Sequence, residues 1–437
     1  MAQEVAPGKT GMRFRPAHMQ PQTDATDDDS EAHGTPRKSA SSRPPTSSQK
    51  PGRKRGASAQ EVALKASKST GALATGPPRS ALSVGPLRSW IFPAVLTVGS
   101  ICSGMLTDHF ARADAGYPTE MAFWCEMDQH ARRFINANVP NVLNFADACS
   151  EEFLRQAPAV DVLSAGFPCQ PWSQMGDHLG MDDVRGVVII AIILYMKFRL
   201  PRIVILENVR GLLTMHLEFF VALLEHIKGI IDPRSGKAAY SVRWKMLNSK
   251  LHGGIPQDRL RVYIVCILNC GKAIARFTWP TEIPAKGLAS IFDKGGRQTV
   301  KLRTYADYPM PNGAVVRKNL TAAIKRVTEL AEADGKNPVG IPAIVDTQAT
   351  SLALGLNATT TLTNSRGKAL AFWSLQHGRP LSVSELMRLQ GFDPDELVVN
   401  VSPNQMGGLL GNAYTKTVYG RVLGAAVEAA RNVAPTV

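Results

Sequence analysis

Short apolar runs alternate with amphipathic stretches from Ile91 to about Trp279. The runs have the length and flanks of buried strands, and the stretches between them have the 3.6-residue period of helices. The predicted strands are Ala94–Val98, Met121–Cys125, Val160–Leu163, Ile203–Leu206, Val242–Leu247 and Val262–Leu268. The predicted helices include Leu106–Ala115, Asp128–Asn138, Val184–Phe198 and Leu217–Ile230. This alternation predicts an α/β fold with a doubly wound parallel sheet.

The pattern changes twice after the first predicted strands. The last two strands are joined by a Gly/Pro-rich loop without a clear helix, which predicts an antiparallel edge pair. Residues 281 to about 375 are less regular and rich in Lys and Arg, and we expect them to form a smaller irregular lobe. Helical periodicity returns at Val383–Gln390 and Lys416–Ala430. We therefore divide the chain into a tail (1–88), a core (89–280), the lobe (281–378) and a segment that completes the core (379–437).

The N-terminal tail differs in composition from the rest. Residues 1–88 are rich in Ser, Pro, Ala, Gly and Thr, and the chain up to Trp90 has 14 Lys/Arg against 7 Asp/Glu, a net charge of +7. Such a segment cannot bury enough apolar surface to offset its chain entropy, so we expect it to be disordered. Its basic runs, Arg37-Lys38 and Arg53-Lys54-Arg55, fit a nuclear import signal or a nucleic-acid arm, and equally an ordinary solvated tail. The tail is also the candidate site for protein partners.

Charge and cysteine content narrow the classes of partner and site. The 437 residues have a net charge of +14, which favours a polyanionic partner. The six cysteines form no Cys-x-x-Cys pair and have no His at zinc-finger spacing, so no structural metal is predicted. The longest apolar stretch, 186–195, is roughly half of what a bilayer crossing needs. We expect a soluble protein without a secretory signal, in the nucleus of a eukaryote or otherwise in the cytoplasm.

The stretch Gly166-Phe-Pro-Cys-Gln-Pro-Trp-Ser173 places a thiol directly after a predicted strand. Pro168 and Pro171 prevent a helix there and stiffen the backbone around Cys169. A rigid loop at the carboxyl end of an α/β strand is where such folds do their chemistry. A single free cysteine is more often a small buried hydrophobe, so Cys169 needs companions before a catalytic role is inferred.

Three further motifs follow Cys169 in order along the chain. Glu207-Asn208-Val209 ends one predicted strand, Gln257-Asp258-Arg259-Leu260-Arg261 begins another, and Gly411-Asn412-Ala413 lies near the C-terminus. Together with Phe-Pro-Cys-Gln, this ordered set resembles the cytosine-C5 DNA methyltransferase family over roughly residues 94 to 423. The resemblance implies a Rossmann-like methyltransferase sheet with a smaller target-recognition lobe. It also implies S-adenosylmethionine as cofactor and DNA as partner.

The chemistry of this family explains the catalytic residue types. Carbon 5 of cytosine is a poor nucleophile until a group adds to carbon 6, and a thiolate is a suitable nucleophile and leaving group. The resemblance gives this role to Cys169, which cannot reach a base inside the stack, so the base has to leave the duplex. Glu207 would bind N3 and the exocyclic amine, which calls for a raised pKa in a dry pocket. We expect Arg259 and Arg261 to project to opposite faces, with Arg261 in the catalytic pocket and Arg259 in support.

The cofactor site is predicted around the first two strands. Val98–Gly104 follows the first strand and precedes a helix, the usual place for a nucleotide-like ligand. The family often continues with a glycine pair, where this chain has Met105-Leu106-Thr107. Glu126, at the end of the second strand, is placed to bind both ribose hydroxyls. The predicted cofactor-binding residues are Ser100, Ile101, Cys102, Gly104, Glu126, Met127, Asp147, Pro168, Asn412 and Ala413. A helix cap for Asp147 and a turn for Asn412 are the alternatives.

Substrate contacts are predicted from the motifs and from the lobe. The segment Thr360–Gly367 resembles the Thr-rich edge of the family's target-recognition region, and its hydroxyls and Arg366 suit phosphate contacts, with a plain β-turn as the alternative. The predicted substrate-binding residues are Gln170, Ser173, Gln257, Thr361, Thr363 and Arg366. The segment from Arg379 to Phe392 resembles the family's next motif, which supports the lobe.

Two other functions remain open from the sequence. One divergent branch of the family methylates tRNA and usually has a doubled Pro before its Cys, where this chain has Phe167-Pro168. A catalytically silent regulator with the same fold would normally lose the Cys, the acid or the cofactor loop. All three are present here, and only the cofactor loop is altered. The sequence therefore favours a DNA methyltransferase.

Overall fold

A computed structural model describes residues 91–168, 184–270, 276–295 and 301–433. Seven strands of these residues form one sheet: β1 (Leu96–Ile101), β2 (Thr119–Cys125), β3 (Leu143–Phe145), β4 (Val162–Ala165), β5 (Ile203–Val209), β8 (Tyr240–Asn248) and β9 (Leu260–Leu268). The short strands β6 (Ile231–Asp232) and β7 (Lys237–Ala238) pair with each other. The predicted tail, 1–88, lies outside the described residues.

The helices are interleaved with these strands. They are α1 (Thr107–Phe110), α2 (Gln129–Asn138), α3 (Glu151–Gln156), α4 (Val184–Arg199), α5 (Gly211–Thr214), α6 (Leu217–Lys228), α7 (Ser249–Gly253), α8 (Ala314–Ala333), α9 (Asn364–Lys368), α10 (Val383–Leu389), α11 (Pro403–Asn412) and α12 (Lys416–Arg431). Within the described ranges, no helix is long and apolar enough to cross a membrane.

The large sheet has the spatial order β3-β2-β1-β4-β5-β9-β8. The five strands β3, β2, β1, β4 and β5 are parallel to one another, whereas β9 runs antiparallel to both β5 and β8. The predicted antiparallel pair is therefore present at one edge. The strand order reverses between β1 and β4, and a crevice opens at the carboxyl ends of the strands at such a point. This topology determines where the site can form.

Helices cover both faces of the large sheet, as the predicted doubly wound α/β fold requires. On one face, α3, α4 and α6 bury Phe153, Ile192 and Leu223. On the other face, α12 buries Val418 and Val422 against the same strands. The C-terminal segment therefore completes the core, because α12 packs on strands that precede it by more than a hundred residues.

The lobe is more regular than the sequence analysis indicated. It contains the 20-residue helix α8 and a four-stranded sheet of β10 (Ile344–Asp346), β11 (Leu354–Gly355), β12 (Phe372–Ser374) and β13 (Arg379–Pro380). The prediction of an irregular lobe was wrong for 314–333, because the buried face of α8 includes Asn319 and small alanines, which give a weak hydrophobic period. Because β13 pairs with β12, this sheet also crosses the boundary predicted between residues 378 and 379.

Candidate active site

A cavity of about 660 Å³ lies at the carboxyl ends of the parallel strands. Its wall includes Cys102 and Gly104 after β1, Glu126 after β2 and Glu207 in β5. From the C-terminal segment, Asn412 and Ala413 complete the wall. Residues predicted for cofactor binding and for catalysis therefore line one continuous space.

The loop after β1 is held open by backbone conformation. Gly104 has a φ of +56°, which favours glycine, and no atom lies within 4 Å of the position where a Cβ would be. Its amide donates to Glu126 Oε2 at 2.7 Å, and the amide of Asp128 donates to Glu126 Oε1 at 2.9 Å. Burial raises the pKa of Glu126, while these amides act in the opposite direction. The carboxylate is thereby fixed in the cavity wall with lone pairs left for ligand hydroxyls.

The departure from the family's glycine pair has a structural consequence at Leu106. This residue has a φ of +58°, a region that costs a residue with a Cβ about 1–2 kcal/mol. Its side chain is fully buried in the cluster that contains Trp124 and Tyr419, and this burial offsets the backbone cost. The loop therefore keeps a glycine-like backbone without the glycine.

Glu207 is the buried acid of the cavity. Its Oε1 lies 3.2 Å from Arg261 Nε, yet within the described parts of the chain no donor is aligned for a hydrogen bond to that oxygen. Burial raises the pKa of Glu207, and Arg261 and then Arg259 oppose this effect. A buried oxygen without a hydrogen bond, on a residue that lines the cavity, is suited to accept a hydrogen bond from a ligand.

The two arginines line the same cavity, so the prediction that they project to opposite faces was wrong. Residues two apart on a strand share a face because the side-chain period is 2. The contacts of the two arginines nevertheless differ. Arg259 is 1% exposed and donates to the backbone carbonyls of Leu362, Gly411 and Ala413. It thereby connects the lobe to the C-terminal motif, whereas Arg261 faces Glu207.

Exchange of each arginine for lysine should separate these two roles. In Arg259→Lys all donors lie on one nitrogen, which cannot reach the three carbonyls that the guanidinium contacts. We therefore expect a loss of about 3 kcal/mol in the free energy of unfolding. Arg261→Lys keeps the charge beside Glu207 and should cost less than about 1 kcal/mol. Urea denaturation of both variants measures the difference. Equal stability of the two would refute a bracing role for Arg259.

The root of the Cys169 loop is held by two side chains. Asn208 Nδ2 donates to the carbonyl of Phe167 at 3.1 Å, which ties the end of β5 to this loop. Tyr414 packs against Gly166 so closely that a Cβ there would lie 2.7 Å from Tyr414 Cε1. Pro168 lines the cavity. Cys169, Gln170 and Ser173 themselves lie outside the described residues, so their predicted roles stay predictions.

Several predicted site residues lie away from the cavity wall. The side chain of Ser100 interacts with the buried carboxyl of Asp108, and Asp147 accepts from the amide of Cys149 at 2.8 Å. Gln257 is fully buried, and its amide bridges the backbones of Leu389 and Leu362. Asp147 thus stabilises the turn before α3, whose cap is Ser150 and not Asp147, and Gln257 braces the lobe.

The Thr-rich segment forms the edge of a second, smaller pocket. Thr361 and Thr363 line it together with Arg210 and Asp258. Thr361 Oγ1 donates to the carbonyl of Asp258, and Thr363 caps α9. Arg366 is paired with Asp346 at 2.7 Å and lines neither pocket. The second half of the segment therefore belongs to the short helix α9, which Thr363 caps, rather than to a plain turn.

Other residues of the cavity were missed by the sequence analysis. His130 lines it beside Gln405, with 3.2 Å between their Nε2 atoms, and Lys368 and Tyr414 line it as well. Their only sequence signal is position: His130 lies in the first turn of the helix after Glu126, and Tyr414 follows the Gly-Asn-Ala motif. In the part of the chain that the structure describes, no group of three or more His, Cys, Asp or Glu side chains could hold a metal ion.

Comparison with known proteins decides the family. The sequence model of the family described as C-5 cytosine-specific DNA methylase matches residues 96–427. The chain belongs to this family. The match begins at β1 and ends within α12, so it spans the large sheet, the cavity and the lobe.

The individual relatives are more distant from this chain. Type II methyltransferase M.HaeII of Haemophilus aegyptius is 29% identical over 276 residues, 62% of this chain and 75% of that protein. M.NgoBV of Neisseria gonorrhoeae is 34% identical over 176 residues, 40% of each chain, so this match spans less than half of that relative. The Entamoeba histolytica methyltransferase EhMeth superposes with a TM-score of 0.53 at 14% identity, covering 77% of this chain and 99% of its own, and shares the fold.

Proposed function

We propose that the protein transfers a methyl group from S-adenosylmethionine to carbon 5 of cytosine in DNA. The observation that carries the proposal is that Glu126, Glu207 and Pro168, the residue before Cys169, line one cavity. Because the cofactor loop and the acid border one enclosed space, a methyl group could pass from a bound cofactor to a bound base without contact with water. Membership of the C-5 cytosine-specific DNA methylase family supports the same reaction.

The residues present fit the cofactor. S-adenosylmethionine, when bound, supplies an activated methyl group. Glu126 is fixed by two amides and offers lone pairs to the ribose hydroxyls, and Gly104 leaves open space above the loop. Asn412 and Ala413 would close the other side, with Ala413 held through its carbonyl by Arg259.

The catalytic steps follow from the buried acid and the thiol. Cys169 Sγ would add to carbon 6 of a flipped cytosine, and the electron pair displaced from the ring double bond activates carbon 5. Glu207, whose pKa is raised by burial, would hold a proton at N3 as charge develops there. After methyl transfer, loss of the proton on carbon 5 returns the electron pair to the ring and expels the thiolate.

DNA is favoured over tRNA because Phe167 precedes Pro168, where the tRNA-modifying branch has a doubled Pro. The direct test compares methyl transfer to duplex DNA and to tRNA with labelled S-adenosylmethionine. Transfer to DNA with little to tRNA is expected. The reverse preference would support the tRNA alternative, and cofactor binding without transfer to either would support the silent regulator. The cellular location, nucleus or cytoplasm, stays a prediction.

Deletion of residues 1–88 should weaken DNA binding but leave the chemistry intact. The segment up to Trp90 carries a net charge of +7 and no catalytic motif, so its loss should also make the salt dependence of binding shallower. The single-turnover methylation rate at saturating DNA should equal that of the full chain. An unchanged salt slope would show that the tail does not contact DNA, and an abolished rate would show that the active fold needs it.

A further inference from the structure

One face of the helix α11 forms a wall of the cavity. Gln405, Gly408, Leu409 and Asn412 all line the cavity, and their spacing of three, four and seven residues from the first places them on one side of the helix. This face is about 10 Å long, because a helix rises about 1.5 Å per residue. The wall therefore extends along much of the space that a bound ligand would occupy.

The two ends of this face lie beside different parts of the cavity. At the first end, Gln405 Nε2 lies 3.2 Å from Nε2 of His130, in the helix that follows Glu126. At the other end, the helix leads to Tyr414, whose ring lies against Gly166. The face thus runs from the side of the cavity proposed for the ribose to the root of the loop proposed for catalysis.

Lys368 of α9 lies across the middle of this face. A Cβ at Gly408 would lie 2.8 Å from Lys368 Cγ and 2.9 Å from its Cε, so a side chain at that position would displace the lysine. Asn404 Nδ2 donates to the carbonyl of Lys368 at 2.7 Å and fixes its backbone. Both Lys368 and Gly408 line the cavity. The glycine therefore lets the aliphatic chain of the lysine rest against the cavity wall.

The cations of the cavity wall differ in their contacts. Arg259 donates to three backbone carbonyls, and Arg261 faces Glu207. Within the described parts of the chain, the polar contact of Lys368 is made by its backbone carbonyl, which leaves the ammonium without a partner. A lysine with a free ammonium in a concave site attracts an anion.

We infer that Lys368 binds the carboxylate of the amino-acid tail of S-adenosylmethionine, an inference that rests on the proposed function. The sulfur of this cofactor carries three groups. With the ribose at Glu126 and the methyl group directed to the side of Glu207, the amino-acid tail has to extend towards a third wall. The face of α11 with Lys368 is such a wall, and a carboxylate is the group of the tail that an ammonium binds best.

A phosphate of the DNA backbone is the other anion that an ammonium could bind. The Thr-rich edge of the lobe, with Thr361 and Thr363, lines the second pocket together with Arg210. Lys368 lines the cavity that contains Glu126 and not this second pocket. Its position therefore favours the cofactor over the DNA backbone.

Isothermal titration without DNA, using S-adenosylmethionine and its decarboxylated analogue, tests this role. In Lys368→Met we expect the affinity for S-adenosylmethionine to fall about five- to tenfold, while the affinity for the analogue stays that of the wild type. Wild-type protein should bind the analogue more weakly than S-adenosylmethionine, and the variant should lose this difference. The melting temperature of the free protein should be unchanged, because methionine keeps the aliphatic chain on Gly408.

Lys325→Met is the matched control, since Lys325 is an exposed residue of α8 that lines neither pocket. Both affinities should equal those of the wild type. Equal loss of both ligands in Lys368→Met, no loss of either, or weaker DNA binding with unchanged cofactor affinity would overturn the role. Wild-type protein that binds S-adenosylmethionine but methylates neither DNA nor tRNA would contradict the proposed function alone, and wild-type protein that does not bind it would contradict both.

Discussion

Cys169→Ser protein is expected to transfer no detectable methyl group to DNA. A serine hydroxyl is not ionised near neutral pH without a dedicated base, so the addition to carbon 6 fails. Loss of a nucleophile costs on the order of 10⁴-fold or more in rate. Methylation of a cytosine-containing duplex with labelled S-adenosylmethionine measures the loss.

Cys270→Ser is the matched control for this substitution. Cys270 is 8% exposed, lies outside the cavity wall and has a pKa raised by burial, so it is a poor nucleophile. Its serine variant should methylate DNA at close to the wild-type rate. Activity of Cys169→Ser within tenfold of the wild type would remove Cys169 from the mechanism.

Glu207→Gln should lower the methylation rate about a hundredfold or more while cofactor affinity stays close to that of the wild type. Glutamine keeps the size and the hydrogen bond to the exocyclic amine but cannot supply a proton to N3, and a positioned acid contributes about 10²–10⁴ in rate. Single-turnover methylation and titration with S-adenosylmethionine measure the two quantities. The control is Glu225→Gln, an exposed residue of α6, which should change neither.

The pH dependence of Glu207 has a defined sign. Because burial raises its pKa in the folded state, the neutral form is favoured there, and its contribution to stability is present at low pH and lost as the pH rises through the raised value. The methylation rate should fall over the same range as the proton is lost. The melting temperature of Glu207→Gln should therefore fall less between acid and alkaline pH than that of the wild type. An identical pH profile in both proteins would contradict a raised pKa at Glu207.

Residue patterns predict the centre of the large sheet well because the central strands are apolar on both faces. The predicted runs at Ile203–Leu206 and Val262–Leu268 lie within β5 and β9, whose residues are buried throughout or nearly so. The strand β3 was missed because three residues, two of them exposed, produce no period. The helix α8 was missed because Asn319 and alanines form much of its buried face.

The candidate site shows a different limit. Glu126 and Glu207 could be predicted because each ends or lies near the end of a parallel strand, where side chains converge. Tyr414 could not, since its contact with Gly166 joins segments far apart in the chain. The bracing roles of Arg259 and Gln257 depend on backbone carbonyls and amides, which leave no signal in a residue pattern. Tertiary hydrogen bonds of this kind require a structure.

A covalent bond between Cys169 and carbon 6 of cytosine is the central claim, and trapping tests it most directly. Release from the adduct requires loss of the proton on carbon 5, and a fluorine there cannot leave as a cation, so the adduct should persist. Wild-type protein incubated with S-adenosylmethionine and duplex DNA containing 5-fluorocytosine should give a denaturation-resistant complex whose crosslinked peptide contains Cys169. An active preparation that forms no such complex, or one crosslinked through Cys102 or Cys266, would contradict the mechanism.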